Sequence, residues 1–219
     1  MYYRRGWINK LERKIGKLAI GNLMLILVGA MAIVFIMDLA LSPQIGVSLA
    51  SRLYFDRDAI LSGEIWRVLT FLFLPPESSI VFIVFALYLY YILGSALEKE
   101  WGAFGFTLFY LLGAIGAIAS GFITGYATNY YINMSLFLAF AILNPDFELY
   151  VFFLLPVKMK WLSVLDGVLL ILSFIETSWR GRVALLMALV NLLIFFTPQL
   201  IDRIKNIYRK WKWNQNLKK

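Results

Sequence analysis

Four polar side chains fall inside long apolar runs of the sequence: Asp38, Ser135, Asp166 and Asn191. Taking an ionisable or hydrogen-bonding group out of water is costly, so each of them marks a functional hypothesis. Ser135 is the one residue placed to act as a nucleophile. A serine hydroxyl attacks only when a base within hydrogen-bond reach takes its proton. The chain has no histidine and no cysteine. That removes the commonest base near neutral pH, together with thiolate nucleophiles, thiolate metal sites and disulfides. No His, Lys, Asp or Glu occurs between Ile80 and Leu97 or between Val183 and Phe196, so neither apolar run supplies the missing base. Ser135 therefore reads as a hydroxyl near a helix N-terminus. Asp166 is expected to pair with Lys158 or Lys160, with a role in transport as the alternative. Asn191 reads as glue between helices, and Asp38, near the end of its run, as a wet interfacial carboxylate.

Outside the apolar runs the most distinctive polar group is Gly63-Glu64-Ile65-Trp66-Arg67. One reading is an interface anchor, with Trp66 at headgroup depth and Arg67 snorkelling. A sharper one is that Glu64 and Arg67 bond to the loop around them and hold it folded. The sequence has no zinc-ligand spacing, no phosphate-cradling glycine loop and no nucleic-acid motif, so neither a cofactor nor a nucleic-acid partner is expected.

These groups need elements to position them. Of 219 residues, 61% are hydrophobic and 16% charged, whereas a soluble domain carries about a quarter charged residues. The excess must face lipid. A membrane-crossing helix needs about 20 apolar residues, and six candidates are expected: Leu18 to Leu41, Ser79 to Leu97, Ala103 to Thr124, Tyr131 to Leu143, Trp161 to Ile175 and Val183 to Phe196. The first is read as a retained span rather than a cleaved leader, and Ser42-Pro43 is expected to stop it. The fold class is all-α: a polytopic domain over 18–197 between basic tails at 1–17 and 198–219. A long first loop, 42–79, is apolar enough to be ordered, and a stretch near 150–156, interrupted by Pro156, is expected to lie in the interface.

Charge orients this layout. Of the 21 Lys and Arg, only Arg52, Arg57, Arg67, Arg180 and Arg182 fall on the side opposite the tails. The bias implies a cell-membrane protein with both termini cytoplasmic. The net charge of +8 then reflects topology and contact with anionic lipid. The C-terminal tail is read as a helix lying on the membrane. On the third run Gly113, Ala117, Gly121 and Gly125 recur every four residues, with Gly116, Ser120 and Thr124 beside them. Small residues let helix backbones approach closely. The stripe is expected to pack within the chain rather than to form a dimer seam.

Several segments together resemble the rhomboid superfamily, which includes the derlins. The run from Gly63 to Thr70 resembles the Trp-Arg motif of the first rhomboid loop, and Leu53-Tyr54-Phe55-Asp56 is similar to the derlin form of that loop. Leu93 to Gly102 looks like the end of the second rhomboid helix and its turn. Residues 144–161 resemble the connection after the fourth. The likeness covers about residues 50–175, in order. It implies six helices and a long first loop. It also locates what an active rhomboid would need. Asn133-Met134-Ser135-Leu136 keeps the serine but loses both glycines of the Gly-x-Ser-Gly setting. The oxyanion-stabilising positions, counted back from Gly94, fall at Phe82 and Ala86, which carry no side-chain donor. The sixth run has no His and lacks the small-residue motif expected to pack it on the fourth. The resemblance thus implies a pseudoprotease that binds transmembrane segments of client proteins in a groove bordered by the second and fifth spans. Its partners would be clients and membrane lipids, with the oligomeric state left open. An intramembrane protease using an unconventional Ser135, and a small transporter or channel, are the alternatives. No inverted repeat is visible to favour the last.

Overall fold

The longest helix is divided by one glycine. In a computed structural model of the protein, which describes residues 6–76, 79–151 and 155–196, helix α5 runs from Ile80–Thr124 over 45 residues. Unbroken, it would be about 68 Å long at 1.5 Å per residue, more than twice a bilayer core of about 30 Å. Gly102, at φ 75° and ψ 161°, interrupts it in a conformation open essentially to glycine alone. The break turns the chain back on itself. Asn129, just past the second arm, donates its Nδ2 to the carbonyls of Leu72 (3.2 Å) and Leu74 (2.9 Å), which precede the first. The outer ends of both arms therefore lie together at what is here called the loop end, opposite the Gly102 turn.

The other helices alternate in direction about these arms. Helix α1 (Gly6–Ile15) and a short 3-10 turn lead to α2 (Leu23–Ile45). The expected start of this run at Leu18 moves because tertiary bonds take up the local N–H groups. Ile20 donates to Thr107 Oγ1 (3.1 Å) and Asn22 to Glu98 Oε1 (2.6 Å). Its expected stop also moves. The helix continues through Pro43 to Ile45, and Gly46, at φ 71°, donates its N–H to the Ser42 carbonyl. This left-handed cap satisfies a terminal carbonyl and offsets the bond that Pro43 cannot make. Helix α2 thus runs from the turn end to the loop end.

The loop end is built from small pieces: α3 (Arg57–Leu61), α4 (Arg67–Thr70) and the strand pair β1 (Phe55–Asp56) and β2 (Tyr126–Ala127). Phe55, fully buried, meets Phe71 and Phe122 edge-on at 5.7 and 5.4 Å. Helix α6 (Tyr130–Leu143) descends from there. Where an interfacial stretch interrupted by Pro156 is expected, the chain instead makes an antiparallel pair, β3 (Glu148–Val151) with β4 (Leu155–Lys158). A two-stranded ribbon tolerates Pro156 because its missing N–H costs a bond only on a paired edge. Helix α7 (Met159–Glu176) rises from this hairpin, and α8 (Trp179–Phe196) returns to set Phe195 against Trp101 and Phe109 at 5.4 and 5.1 Å.

The protein is mostly helical, with two small strand pairs among the described residues. Among those residues three helices, at 23–44, 80–124 and 179–196, are long and apolar enough to cross a membrane. Their outer faces expose Ile33, Ile36, Val81, Ile115, Ile123 and Leu193, a surface suited to hydrocarbon rather than water. The tail 198–219, with the interfacial helix expected there, lies outside the described residues.

The small-residue stripe meets neighbours within the chain. A Cβ on Gly113 would stand 3.1 Å from Asn191 Nδ2 and 3.3 Å from Ile132 Cγ2, and one on Gly121 would stand 2.6 Å from the Phe55 ring. Ala117 lines a small gap with Ala184 and Ala188 of α8. Gly125 departs from the expected stripe. It caps α5 at φ 91° and donates its N–H to the Gly121 carbonyl, so its value is conformational.

Candidate functional site

At the loop end the chain organises around Arg67. Its side chain is almost fully enclosed, and its Nε donates to Glu64 Oε2 at 2.5 Å. Its Nη1 donates to the carbonyls of Ser51 (3.0 Å) and Tyr54 (3.1 Å), and the guanidinium lies over the Tyr54 ring. The planar guanidinium serves three acceptors from two nitrogens held in one rigid plane, a geometry that a lysine ammonium does not reproduce. Glu64 and Arg67 meet because α4 begins at Arg67, directly after the turn that carries Glu64. Trp66 points outward, half exposed, with its Nε1 donating to the Arg52 carbonyl at 3.4 Å. Of the two sequence readings, the internal bonds describe Glu64 and Arg67, while Trp66 stays half exposed.

Asp38 does more than the wet carboxylate expected of it. Its Oδ1 accepts from Ser42 Oγ (2.6 Å), Ser48 Oγ (2.9 Å) and the N–H groups of Leu49 and Ala50. It ties the end of α2 to the start of the loop. Asp56 does the same for α3, accepting from the N–H groups of Asp58 and Ala59 as an N-cap. A cavity of about 620 Å³ opens beside these ties, lined by Asp38, Ser48, Tyr54, Leu74 and Tyr126 among others.

Ser135 lies in α6 and is only 2% exposed. Its hydroxyl donates to the Ile132 carbonyl at 2.7 Å, within its own helix. The small gap beside it is lined by Tyr131, Met134, Leu138, Leu170, Leu185, Ala188 and Leu189, none of which is a His, Lys, Asp or Glu. Phe82 stands on the exposed side of the first α5 arm and Ala86 one turn further on. Neither lines this gap. Asn191 on α8 is buried and donates Nδ2 to the Phe109 carbonyl at 3.1 Å, bridging α8 to the second arm.

Asp166 lies near the middle of α7 and forms no ion pair among the described residues. The expected pairing with Lys158 or Lys160 is not made. Lys158 stands opposite Glu148 in the hairpin, and the Lys160 ammonium lies over the Trp161 ring at 5.7 Å. Asp166 turns into a groove of about 300 Å³ between the first arm of α5, α6 and α7. Phe85, Leu89, Leu162, Leu165 and Leu169 supply apolar walls, and Tyr90, Tyr130 and Asn133 supply polar atoms. Asn133 was legible only as a neighbour of the serine. That it shares a cavity with Asp166 follows from the rotation of two helices, for which the sequence carried no signal.

Two helical stretches beside this groove bury few side chains. Helix α7 packs mainly on α6 and β4 and buries only Met159 and Leu170. The outer half of the first α5 arm buries only Ile83. Compared with models of known protein families and with curated proteins, the chain matches none.

Proposed function

We propose that this chain is a catalytically inactive, rhomboid-like membrane protein that binds transmembrane segments of other membrane proteins. In this reading its six helical segments all cross the cell membrane, with both termini cytoplasmic. The observation that carries it is the groove between the first α5 arm and α7. It is walled by Leu89, Leu162, Leu165 and Leu169 and flanked by helices that bury few side chains. A helix arriving from the side finds apolar walls and has few internal contacts to break.

A further observation supports the reading. Ser135 spends its hydroxyl proton on a backbone carbonyl and is walled by apolar side chains, an environment suited to packing rather than to attack.

The test is photocrosslinking in vesicles, with the probe at Leu165 in the groove or at Ile33 on the outer face of α2. Synthetic single-span peptides should label through Leu165 well above Ile33. Equal labelling at both sites would mean that the groove is ordinary lipid-facing surface.

A further inference from the structure

The groove holds two polar groups that the fold leaves under-satisfied. Asn133 is 2% exposed, and among the described residues neither its Nδ2 nor its Oδ1 has a well-formed hydrogen bond, although the Tyr90 hydroxyl stands beside it as a loose partner. Asp166 Oδ2 is enclosed and also without a hydrogen-bond partner among the described residues. Both residues line the same cavity. An enclosed amide or carboxylate left short of hydrogen bonds is destabilising, and two in one cavity mark a place where an occupant completes the bonding. The hydroxyls of Tyr90 and Tyr130 face the same cavity, Tyr90 in loose hydrogen-bonding contact with Asn133 and Tyr130 within electrostatic reach of Asp166. Among the described residues no Lys or Arg lines the groove, and the Asp166 carboxylate is its one formal charge. Apart from the tyrosine hydroxyls and the Asn133 amide, its described walls are apolar.

Resting on the client-binding reading above, we infer that this groove selects transmembrane helices that carry a basic residue. The occupant is an apolar helix lying along the mouth, with a single Lys or Arg side chain inserted. The Asp166 carboxylate and the Asn133 Oδ1 accept from the inserted cation. The Asn133 Nδ2 donates to a carbonyl of the same helix. Charge complementarity sets the class. A carboxylate without a counter-ion repels an acidic segment, leaves an apolar one with nothing to answer it, and attracts a basic one. A basic residue in hydrocarbon gains most from such a site, because its alternative is an uncompensated charge among lipid tails.

The experiment uses the full chain in vesicles with the photoprobe at Leu165 and the Ile33 control. Three leucine-alanine single-span peptides are compared, carrying lysine, norleucine or glutamate at the midpoint. The lysine peptide should label about tenfold more than the norleucine peptide, corresponding to one order of magnitude in affinity, and the glutamate peptide less than either. In Asp166→Asn the lysine preference should fall below about twofold. Equal labelling by the lysine and norleucine peptides, or a preference that survives Asp166→Asn, overturns the basic-residue inference and leaves client binding standing. Failure of every peptide to label Leu165 above Ile33 overturns client binding itself. The lysine-versus-glutamate comparison is made in the probe-bearing protein with Asp166 intact, so it does not depend on the Asp166→Asn variant folding.

Discussion

Replacing Arg67 with methionine keeps most of the stem and removes the guanidinium. Three acceptors then lose their donor: Glu64 Oε2, which stood at 2.5 Å, and the carbonyls of Ser51 and Tyr54 at 3.0 and 3.1 Å. Breaking a buried ion pair from one side costs about 3–5 kcal/mol. The Glu64 side chain is 29% exposed, so water recovers part of its solvation and the lower end, about 3 kcal/mol, applies. For a chain of this size each kcal/mol shifts Tm by about 2–4 °C, so Arg67→Met should lower it by about 6–12 °C. Arg67→Lys keeps the charge but not the fork and should lose a smaller part. Tryptophan fluorescence during heating in detergent reads the global effect. Tryptic cleavage after Arg52 and Arg57 reads the loop, and it should accelerate in the methionine variant. In a double-mutant cycle, adding Glu64→Gln to Arg67→Met should cost little more. An unchanged Tm together with unchanged protection of Arg52 and Arg57 would refute the claim that Arg67 holds the loop.

Glycine substitutions separate close packing from backbone freedom. Gly121→Ala should destabilise by about 1–3 kcal/mol through overpacking, because the new methyl meets the buried Phe55 ring and Ala127. Gly29→Ala, which meets nothing within 4 Å, should gain up to about 1 kcal/mol of helix propensity. Thermal unfolding of the pair checks both signs. Gly102→Ala should cost about 1–3 kcal/mol although a Cβ there has open space, since the penalty lies in φ alone. A loss of Tm that D-alanine at the same position restores would identify the backbone as its origin. Ser135→Ala gives up one intrahelical bond and should shift stability by about 1 kcal/mol or less. A fluorophosphonate probe should label neither it nor the parent protein. Labelling that vanished in the variant would reveal an activated serine and overturn the non-enzymatic reading.

How the segments divide was legible in the sequence because lipid-length apolar runs and their breakers are local signals. Asn144-Pro145 marks the end of α6, and the polar corner at Glu98-Lys99-Glu100 announces the turn that Gly102 completes. The Glu64–Arg67 pair was legible because it spans three residues. What the tertiary structure alone decided is which faces meet. Helix α2 is apolar on every side, and the arms of α5 and α6 are nearly so. In such helices no polar stripe distinguishes a face turned to lipid from one turned to the core. Hence Asp38 emerged as a tie between α2 and the loop, and Gly125 as a cap rather than a packing residue. Asp166 turned away from the lysines nearest it in sequence. Its meeting with Asn133, 33 positions away, depends on the relative rotation of α6 and α7. That rotation is set by packing summed over the whole bundle, and no single stretch of sequence carries it.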